Sequence, residues 1–407
     1  MSYETKNIRN ICLLGHGNTG KTSLAESMLF CTGAIDRMGK VSDGNTVCDY
    51  DAEETKRQIT ISTAVAPVNY GGCKINVLDC PGFFDFVGES LAAIRAVEAG
   101  IILCSAKDGL SVGAERAWKY LKAANVPVAF CISKCDEEHG DYFKVLDSLK
   151  AKYGSIVCPV TIPMSDGSGV IDLVHNVAYQ TKGSKTSKVP VPAADAGKAG
   201  ELREALMESA AGATEELMEK FFDTMELSEA DMAEGIKVGL RERSVVPVFA
   251  SAAMSCVGTE ALLQGVVDYV SNPGEMEGID PAGPNVMWAY MIPEQEVCYD
   301  KCKEFANAGC CIIFTNSYGH QSYAQQAASE FPNVQFVSMT GDTAKTAGLN
   351  NFANAFTDIY QARYVSGVVA GMKLKELMDA GTITDPYVGY VGAYPYAEVV
   401  SGYTAFL

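Results

Sequence analysis

The chain has 407 residues, a length typical of two or three domains, and a hydrophobic fraction of 48% that can fill their cores. Its formal net charge of −18 argues against nucleic-acid binding through a basic surface. No run approaches the ~18 apolar residues of a membrane helix, and the first ten residues are polar. We therefore expect a cytoplasmic globular protein without a membrane segment; the sequence predicts no oligomeric state.

The 14 cysteines are scattered along the chain and form no paired C-x-x-C motifs. The sequence therefore predicts reduced thiols, several of them in buried strands, and not a zinc site.

The first predicted elements are a buried strand over residues 8–14 and a helix from about Lys21 to Phe30, joined by a glycine-rich loop. Glycines allow backbone N–H groups to surround a phosphate, and the helix N-terminus favours the same anion. Lys21 can reach the β- and γ-phosphates, and the Thr22 hydroxyl can ligate Mg²⁺. The loop predicts a nucleoside triphosphate site, with a chance glycine-rich turn as the alternative. Its residues are Gly15, His16, Gly17, Asn18, Thr19, Gly20, Lys21, Thr22 and Ser23.

A second apolar strand ends at Asp79, and Gly82 completes a D-x-x-G motif. An aspartate at this strand end can hold the Mg²⁺ shell, usually through water. The Gly82 N–H group can contact the γ-phosphate and respond to its loss.

Two further strands end in residues suited to reading a base. The strand over 126–132 leads into Ser133, Lys134 and Asp136, and the strand over 245–250 leads into Ser251 and Ala252. The Asp136 carboxylate can accept hydrogen bonds from guanine N1–H and its exocyclic amine, a donor pair that adenine lacks. The Lys134 stem can pack over the base and ribose, and a backbone N–H group after the last strand can contact the guanine oxygen. A surface S-K-x-D turn is the alternative.

Residues 5–275 resemble the GTPase domain of elongation factor G. The resemblance is carried, in this order, by the segments GHGNTGKT, DYDAEETKRQITIS, DCPGFFDF, SKCD and FASA. The resemblance is closest to the elongation-factor-G-like branch of translational GTPases. It implies a doubly wound α/β P-loop GTPase domain over 1–275, with a helical insert at about 158–245, that binds GTP or GDP with Mg²⁺. It also implies that Thr60 closes on Mg²⁺ and the γ-phosphate. The implied metal ligands are Thr22, Thr60 and Asp79, and the implied catalytic residues are Lys21, Thr60 and Gly82. The alternative for Thr60 is an ordinary strand residue, because 59–65 reads as a strand.

Three positions depart from the family pattern. Phe83 occupies the place of a histidine that orients the attacking water, so the usual mechanism of hydrolysis is in doubt. Ser133 replaces the asparagine of N-K-x-D, which predicts weaker guanine affinity without loss of specificity. Gln58 replaces the glycine of the first switch.

The insert has two predicted features of its own. Residues 183–200 are rich in Lys, Ser, Ala and Pro and predict a flexible loop. Residues 201–242 are acidic, which indicates a solvated helix face or, alternatively, a surface for a basic ribosomal protein.

Beyond a predicted linker at 276–286, the pattern changes to strands over 308–315, 334–337 and 387–392 and helices over 322–330 and 359–378. This part of the chain resembles the basic membrane protein family of solute-binding lipoproteins. The segments that carry the resemblance are IFTNSYG, FPNVQF, YQARYVSGVVAG and GYVGAYP. Characterised members of that family include nucleoside receptors of ABC importers. The resemblance implies a partial α/β lobe of the periplasmic-binding-protein type over 287–407, short of a complete two-lobed cleft.

Together, these patterns predict a GTP-binding, translation-related GTPase domain with slow hydrolysis and the ribosome as a partner. The alternatives are a GTP-binding module without hydrolysis and a nucleoside-binding fragment. We interpret the join between the two resemblances as a chimaeric reading frame, with a natural fusion as the alternative.

Overall fold

The computed structural model of this chain describes residues 3–183, 185–275, 287, 289, 291–355 and 370–382. The chain divides into two units, Met1–Gly283 and Pro284–Leu407, and each unit is described by itself. The predicted linker at 276–286 lies outside the described residues.

The first unit is a layered arrangement of strands and helices. Its described strands are β1 (Ile8–Gly15), β2 (Ala64–Tyr70), β3 (Cys73–Asp79), β4 (Ala99–Ser105), β5 (Val128–Ser133), β6 (Val157–Pro159), β7 (Thr161–Pro163), β8 (Gly169–Asp172), β9 (Val177–Lys182), β10 (Lys185–Pro190) and β11 (Val246–Ala250). Its described helices are α1 (Lys21–Cys31), α2 (Ala52–Arg57), α3 (Val87–Ile94), α4 (Val112–Ala123), α5 (Tyr142–Tyr153), α6 (Ala196–Ala211), α7 (Glu215–Thr224), α8 (Glu229–Glu242) and α9 (Thr259–Tyr269).

A seven-stranded sheet in the order β2-β3-β1-β4-β5-β11-β6 forms the centre of this unit. All neighbouring strands are parallel except the β2–β3 pair. Every residue of β4 and β5 is buried, as expected for central strands covered on both faces. The chain places β3 and β4 on opposite sides of β1, so the carboxyl end of β1 is a topological switch point. This is the doubly wound α/β architecture predicted from the sequence.

The insert contains more β-structure than the sequence predicted. Besides α6, α7 and α8 it has a four-stranded antiparallel sheet in the order β10-β9-β8-β7. The prediction of a flexible loop over 183–200 is wrong, because β10 and the start of α6 lie within it. In β10, Lys185, Ser187 and Lys188 are exposed, so the strand is polar in composition. Backbone pairing with β9 defines it, and that pairing leaves little trace in a local pattern.

The strand interpretation of residues 59–65 is wrong for Thr60. β2 begins only at Ala64, and Thr60 lies in the loop after α2. This loop is buried at Thr60, which explains why its β-branched residues read as a strand.

The second unit has a parallel three-stranded sheet in the order β12-β13-β14. Its described elements are α10 (Glu296–Asn307), β12 (Ile312–Thr315), α11 (Gln321–Glu330), β13 (Gln335–Ser338), α12 (Ala344–Ala347) and β14 (Phe352–Asn354). Residues 370–379 are also helical, whereas the start of the predicted 359–378 helix and the predicted 387–392 strand lie outside the described residues. A small core of Tyr299, Ile313, Phe336 and Phe352 holds this sheet and its helices together. No helix in the described parts of either unit is both long and apolar enough to cross a membrane.

Candidate nucleotide-binding site

The loop between β1 and α1 has the backbone geometry that its glycines allow. Gly15 and Gly20 have φ angles of 140° and 92°, which residues with a side chain rarely adopt. A Cβ atom on Gly15 would also lie 2.7 Å from the Leu103 carbonyl oxygen. The helix begins at Lys21, immediately after the left-handed Gly20. The loop is therefore compact, and the N-terminus of α1 opens directly onto it.

Lys21 is a buried cation whose described acceptors are backbone carbonyls. Its Nζ donates to the carbonyl oxygens of His16 (2.9 Å) and Gly15 (3.4 Å), and the residue is 5% exposed. Burial lowers the Lys21 pKa, and the nearby carboxylate of Asp79 opposes this shift. A buried ammonium is favourable only with compensating charge, so this position suits an anion.

The D-x-x-G segment lies directly against the loop. A Cβ atom on Gly82 would lie 2.5 Å from the Nζ of Lys21 and 2.7 Å from the backbone nitrogen of Gly17. Only glycine fits this approach. The segment after β3 and the loop after β1 therefore form one continuous surface around the Lys21 ammonium.

Hydroxyl and carboxylate groups meet beside Lys21. The Oγ1 atoms of Thr22 and Thr60 lie 3.0 Å apart, and Thr60 Oγ1 donates to Asp49 Oδ1 at 2.8 Å. Asp79 is fully buried, and neither of its carboxylate oxygens has a hydrogen-bond partner among the described residues. Burial raises the pKa of Asp79 to about 7, opposed by Thr22 and Lys21, and burial also raises the pKa of Asp49.

This group of oxygens fits a magnesium ion. Mg²⁺ prefers hard oxygen ligands and retains several waters, so two hydroxyls with nearby carboxylates can form its shell. The unpartnered oxygens of Asp79 and Asp49 are the observation that supports the fit. The described residues hold no group of three or more His, Cys, Asp or Glu placed to bind a metal ion, so a magnesium site here would rely on the hydroxyls of Thr22 and Thr60. The sequence interpretation missed Asp49, although it lies in the segment that carries the resemblance around Thr60.

A buried glutamate fixes the loop that carries Thr60. Glu54 Oε1 accepts hydrogen bonds from the backbone nitrogens of Ile61 (2.9 Å) and Ser62 (3.0 Å), and its Oε2 accepts from Asp51 N (3.2 Å). The same contact completes a capping box at the start of α2. Gln58 follows α2 in the left-handed region at φ 56°, a conformation that favours the glycine found in the family pattern.

Phe83 and its neighbour present aromatic rings to the loop. The Phe83 ring contacts Gly17, and a Cβ atom there would lie 3.0 Å from its Cζ. The Arg116 guanidinium lies over the Phe84 ring, with its Cζ atom 3.9 Å from the ring centroid. Phe83 is 37% exposed, and its side chain has no polar atom with which to orient a water.

The residues predicted to read guanine are tied to the loop and to one another. Ser133 Oγ donates to the Thr19 carbonyl oxygen at 2.7 Å, so this serine stabilises the phosphate loop by a hydrogen bond. The backbone nitrogen of Cys135 donates to the Ser251 carbonyl oxygen at 3.2 Å, which joins the ends of β5 and β11. Asp136 Oδ2 accepts from Ser255 Oγ at 2.9 Å.

A cavity of about 340 Å³ collects most of the phosphate and switch residues. Of the predicted residues it is lined by Gly17, Asn18, Gly20, Lys21, Thr22, Ser23, Thr60, Gly82 and Lys134. It is also lined by Val41, Asp49, Gln58, Ile59 and Phe83. The predicted residues that do not line it are Gly15, His16, Thr19, Asp79, Ser133, Asp136, Ser251 and Ala252. Asp136 and Ala252 line a different cavity, of about 260 Å³. Most of the predicted phosphate-binding residues thus line one cavity together with Lys134, whereas Ser133, Asp136, Ser251 and Ala252 do not line it.

The mostly parallel sheet carries a glycine-rich loop and a helix N-terminus at its switch point, and the D-x-x-G glycine packs against this loop. These features together define a P-loop nucleotide-binding domain. Residues 6–272 match the family of the elongation factor Tu GTP binding domain. The chain belongs to this family, which implies guanine nucleotide binding, typically with Mg²⁺, and confirms the first resemblance.

Residues 271–406 match the family described as ABC transporter substrate-binding protein PnrA-like, which confirms the second resemblance. Among solved structures, the chain is similar to a crystal structure of a protein from Thermus thermophilus, with 31% identity and a TM-score of 0.64. The match covers 67% of this chain and 42% of that one, so this chain spans less than half the length of its solved relative.

Proposed function

We propose that residues 1–275 are a Mg²⁺-dependent guanine nucleotide switch of the elongation-factor-G type, with slow GTP hydrolysis. The contact between Thr22 and Thr60, beside Lys21 and Gly82, is the observation that carries the proposal. This contact brings together the phosphate loop, the loop that carries Thr60 (the first switch of the family pattern) and the D-x-x-G segment. A γ-phosphate and its metal ion at that point would touch all three.

Each predicted residue then has a role that its surroundings support. Lys21 and the N–H groups of the loop hold the β- and γ-phosphates, while Thr22 and Thr60 ligate Mg²⁺. Asp79 and Asp49 hold its waters, because both carry unpartnered buried oxygens. These roles place the metal where the buried carboxylates gain a compensating charge.

On the base side, Asp136 reads the guanine edge and Lys134 covers the base and ribose. The Ser251–Ala252 backbone contacts the guanine oxygen. Asp136 can keep its bond from Ser255 while it accepts from guanine, since a carboxylate has about four acceptor sites. Ser133 acts indirectly, through the Thr19 carbonyl.

Hydrolysis is slow in this proposal because Phe83 supplies no group to orient the attacking water. Backbone groups and the metal shell remain to position it. We place the protein in the cytoplasm with the ribosome as its partner, through a local patch since the net charge is −18. A GTP-binding module without hydrolysis is the competing form of the same proposal.

The test is a titration of the full chain with a fluorescent GTP analogue and Mg²⁺, in competition with GDP, ATP and adenosine. We expect saturable binding that GDP displaces and ATP does not. The Asp136→Asn variant loses the guanine preference, and Glu138→Gln, a neighbouring exposed carboxylate, keeps it. Displacement by ATP as effective as by GDP would refute the guanine assignment.

The second unit supports a second candidate function, the binding of a nucleoside-like solute. Two observations favour it: the family match over 271–406 and a cavity of about 450 Å³ next to β12. Thr315, Asn316, Ser317 and His320 offer hydrogen-bonding groups there. Calorimetry with adenosine and guanosine, in the presence of saturating GDP, tests this candidate. Absence of heat for both nucleosides rejects it.

A further inference from the structure

A buried carboxylate on the phosphate-binding helix holds a loop that leads to the proposed metal site. Glu26 lies one turn after Thr22 on the same face of α1 and is only 1% exposed. Its Oε1 accepts a hydrogen bond from the backbone nitrogen of Gly39 (2.8 Å), and its Oε2 accepts one from that of Val47 (2.9 Å). One side chain therefore fixes both ends of the 39–47 loop to the helix.

The approach of the loop to this carboxylate is close at Gly39. A Cβ atom there would lie 2.3 Å from the Asn45 carbonyl oxygen and 2.8 Å from Glu26 Oε1, so only glycine fits. Within the loop, the backbone nitrogen of Lys40 donates to Asn45 Oδ1 at 2.7 Å. The 39–47 loop is thus folded on itself, and the Glu26 carboxylate sets its position against α1.

The chain passes from the 39–47 loop directly to the oxygens assigned to Mg²⁺. Asp49 lies two residues beyond the loop, and its Oδ1 accepts from Thr60 Oγ1 at 2.8 Å. The Thr60 hydroxyl lies 3.0 Å from that of Thr22. The same helix therefore reaches this stretch of chain twice, directly through Glu26 and through the contact of Thr22 with Thr60.

Both bonds of Glu26 require its charge and not only its size. A carboxylate can accept an N–H group on each of its oxygens, whereas the amide of glutamine has one acceptor oxygen and carries N–H groups at the other position. Hydrogen bonds to an ionised acceptor are also roughly twice as strong as those between neutral groups. A glutamine of the same shape would therefore leave one end of the loop unheld.

We propose that Glu26 is a positioning residue of the nucleotide switch, which holds Asp49 at the metal site and thereby favours GTP over GDP. This role rests on the proposed function, because it acts through the γ-phosphate and its Mg²⁺. The γ-phosphate and the metal order the segment around Thr60 and Asp49. Glu26 keeps the preceding loop where this closure needs it, and GDP has no γ-phosphate with which to use the closed arrangement.

The experiment measures the Kd of the full-length chain for GDP and for a non-hydrolysable GTP analogue, each over a range of Mg²⁺ concentrations. Glu26→Gln is expected to raise the Kd for the analogue about 10-fold, equivalent to about 1.4 kcal/mol, and to leave the Kd for GDP within about 2-fold. The Mg²⁺ concentration that half-saturates binding of the analogue should rise as well. A purely structural role would weaken both nucleotides together.

A second variant and a matched control accompany this measurement. Gly39→Ala reaches the same contact from the loop side, because its methyl group displaces the loop from Glu26 and leaves α1 unchanged. It should show the same selective loss, and it guards against misfolding of Glu26→Gln. The control is Glu98→Gln: Glu98 is 6% exposed and accepts from the backbone nitrogen of Asn10 at 2.9 Å, near the amino end of β1. This variant should keep the ratio of the two Kd values.

The outcomes separate this proposal from the function on which it rests. If the unmodified chain binds both nucleotides and the variants Glu26→Gln and Gly39→Ala keep its ratio of Kd values, the role of Glu26 is refuted and the proposed function stands. An equal selective loss in Glu98→Gln also refutes the role, since any buried carboxylate would then produce it. Absence of guanine nucleotide binding by the unmodified chain refutes the proposed function, and this role with it.

Discussion

At the scale of single residues, the proposed function makes Phe83 the position that limits the rate of GTP hydrolysis. Its ring contacts Gly17 and lines the cavity that Lys21 and Thr60 also line. Nothing on that ring can accept or donate a proton.

Replacing this ring with an imidazole tests the consequence. We expect Phe83→His to raise ribosome-stimulated GTP hydrolysis by about 10²-fold or more, the usual contribution of a positioned general acid or base. Single-turnover phosphate release measures it. Phe84→His, on the neighbouring ring under Arg116, is the matched control and should leave the rate near that of the unmodified chain. Equal rates for Phe83→His and the unmodified chain would show that Phe83 does not limit turnover.

Asp79 gives the nucleotide-free chain a pH-dependent stability. Its pKa rises from 3.8 to about 7 on folding because it is buried, so the folded state favours the protonated acid. This stabilisation is complete below the unfolded pKa and is lost as the pH rises through about 7. One pKa unit corresponds to about 1.4 kcal/mol, so the effect is measurable.

We therefore expect the free energy of unfolding of the nucleotide-free chain to fall between pH 4 and 7 more steeply than that of Asp79→Asn. Urea unfolding across this range checks it, with the exposed Asp85→Asn as control. Mg²⁺ with GDP should restore stability at pH 8 in the unmodified chain and less so in Asp79→Asn. Parallel pH profiles for the two proteins would contradict the buried, unpaired state of Asp79.

At the scale of elements, the loop after α2 depends on one buried side chain. Glu54 accepts three backbone N–H bonds and so holds both the start of α2 and the segment around Thr60. The neighbouring Glu53 is exposed and pairs only with Lys56 and Arg57 among the described residues.

Glu54→Ala should leave the N–H groups of Ile61 and Ser62 without an acceptor, at a cost of about 1–3 kcal/mol each if they stay buried. We expect the loop to open instead, with faster hydrogen exchange over 59–63 and weaker binding of GTP relative to GDP. Exchange measured by mass spectrometry checks this. Glu53→Ala should exchange like the unmodified chain; matching exchange in both variants would remove the role given to Glu54.

At the scale of the whole molecule, two units carry two family matches, and ligands should act on them separately. A ligand at 100 times its Kd stabilises the unit that binds it by about 2.7 kcal/mol. We expect Mg²⁺ with GDP to slow hydrogen exchange within residues 3–275 and to leave residues 291–355 unchanged. Adenosine should do the reverse: it should slow hydrogen exchange within residues 291–355 and leave residues 3–275 unchanged. Protection of the second unit by GDP would contradict independent binding.

Family membership and the phosphate loop could be predicted from the sequence, because they depend on local order. Glycines after an apolar strand and before a helix dictate a compact anion-binding turn, and the strand-end motifs follow at fixed places along the chain. The alternating pattern of the second unit likewise predicted β12, α11 and β13, since each is a short, continuous element with its own periodicity.

Only the tertiary structure decided which of these residues meet. Asp49 and Thr60 are hydrogen-bonded to each other through a buried loop whose sequence resembles that of a strand. Strand β10 forms by pairing with β9 although its sequence is polar. Contacts of this kind depend on the packing of segments that are distant in the chain, so a local sequence pattern cannot encode them. The motifs and their order, in contrast, can be read directly from the sequence.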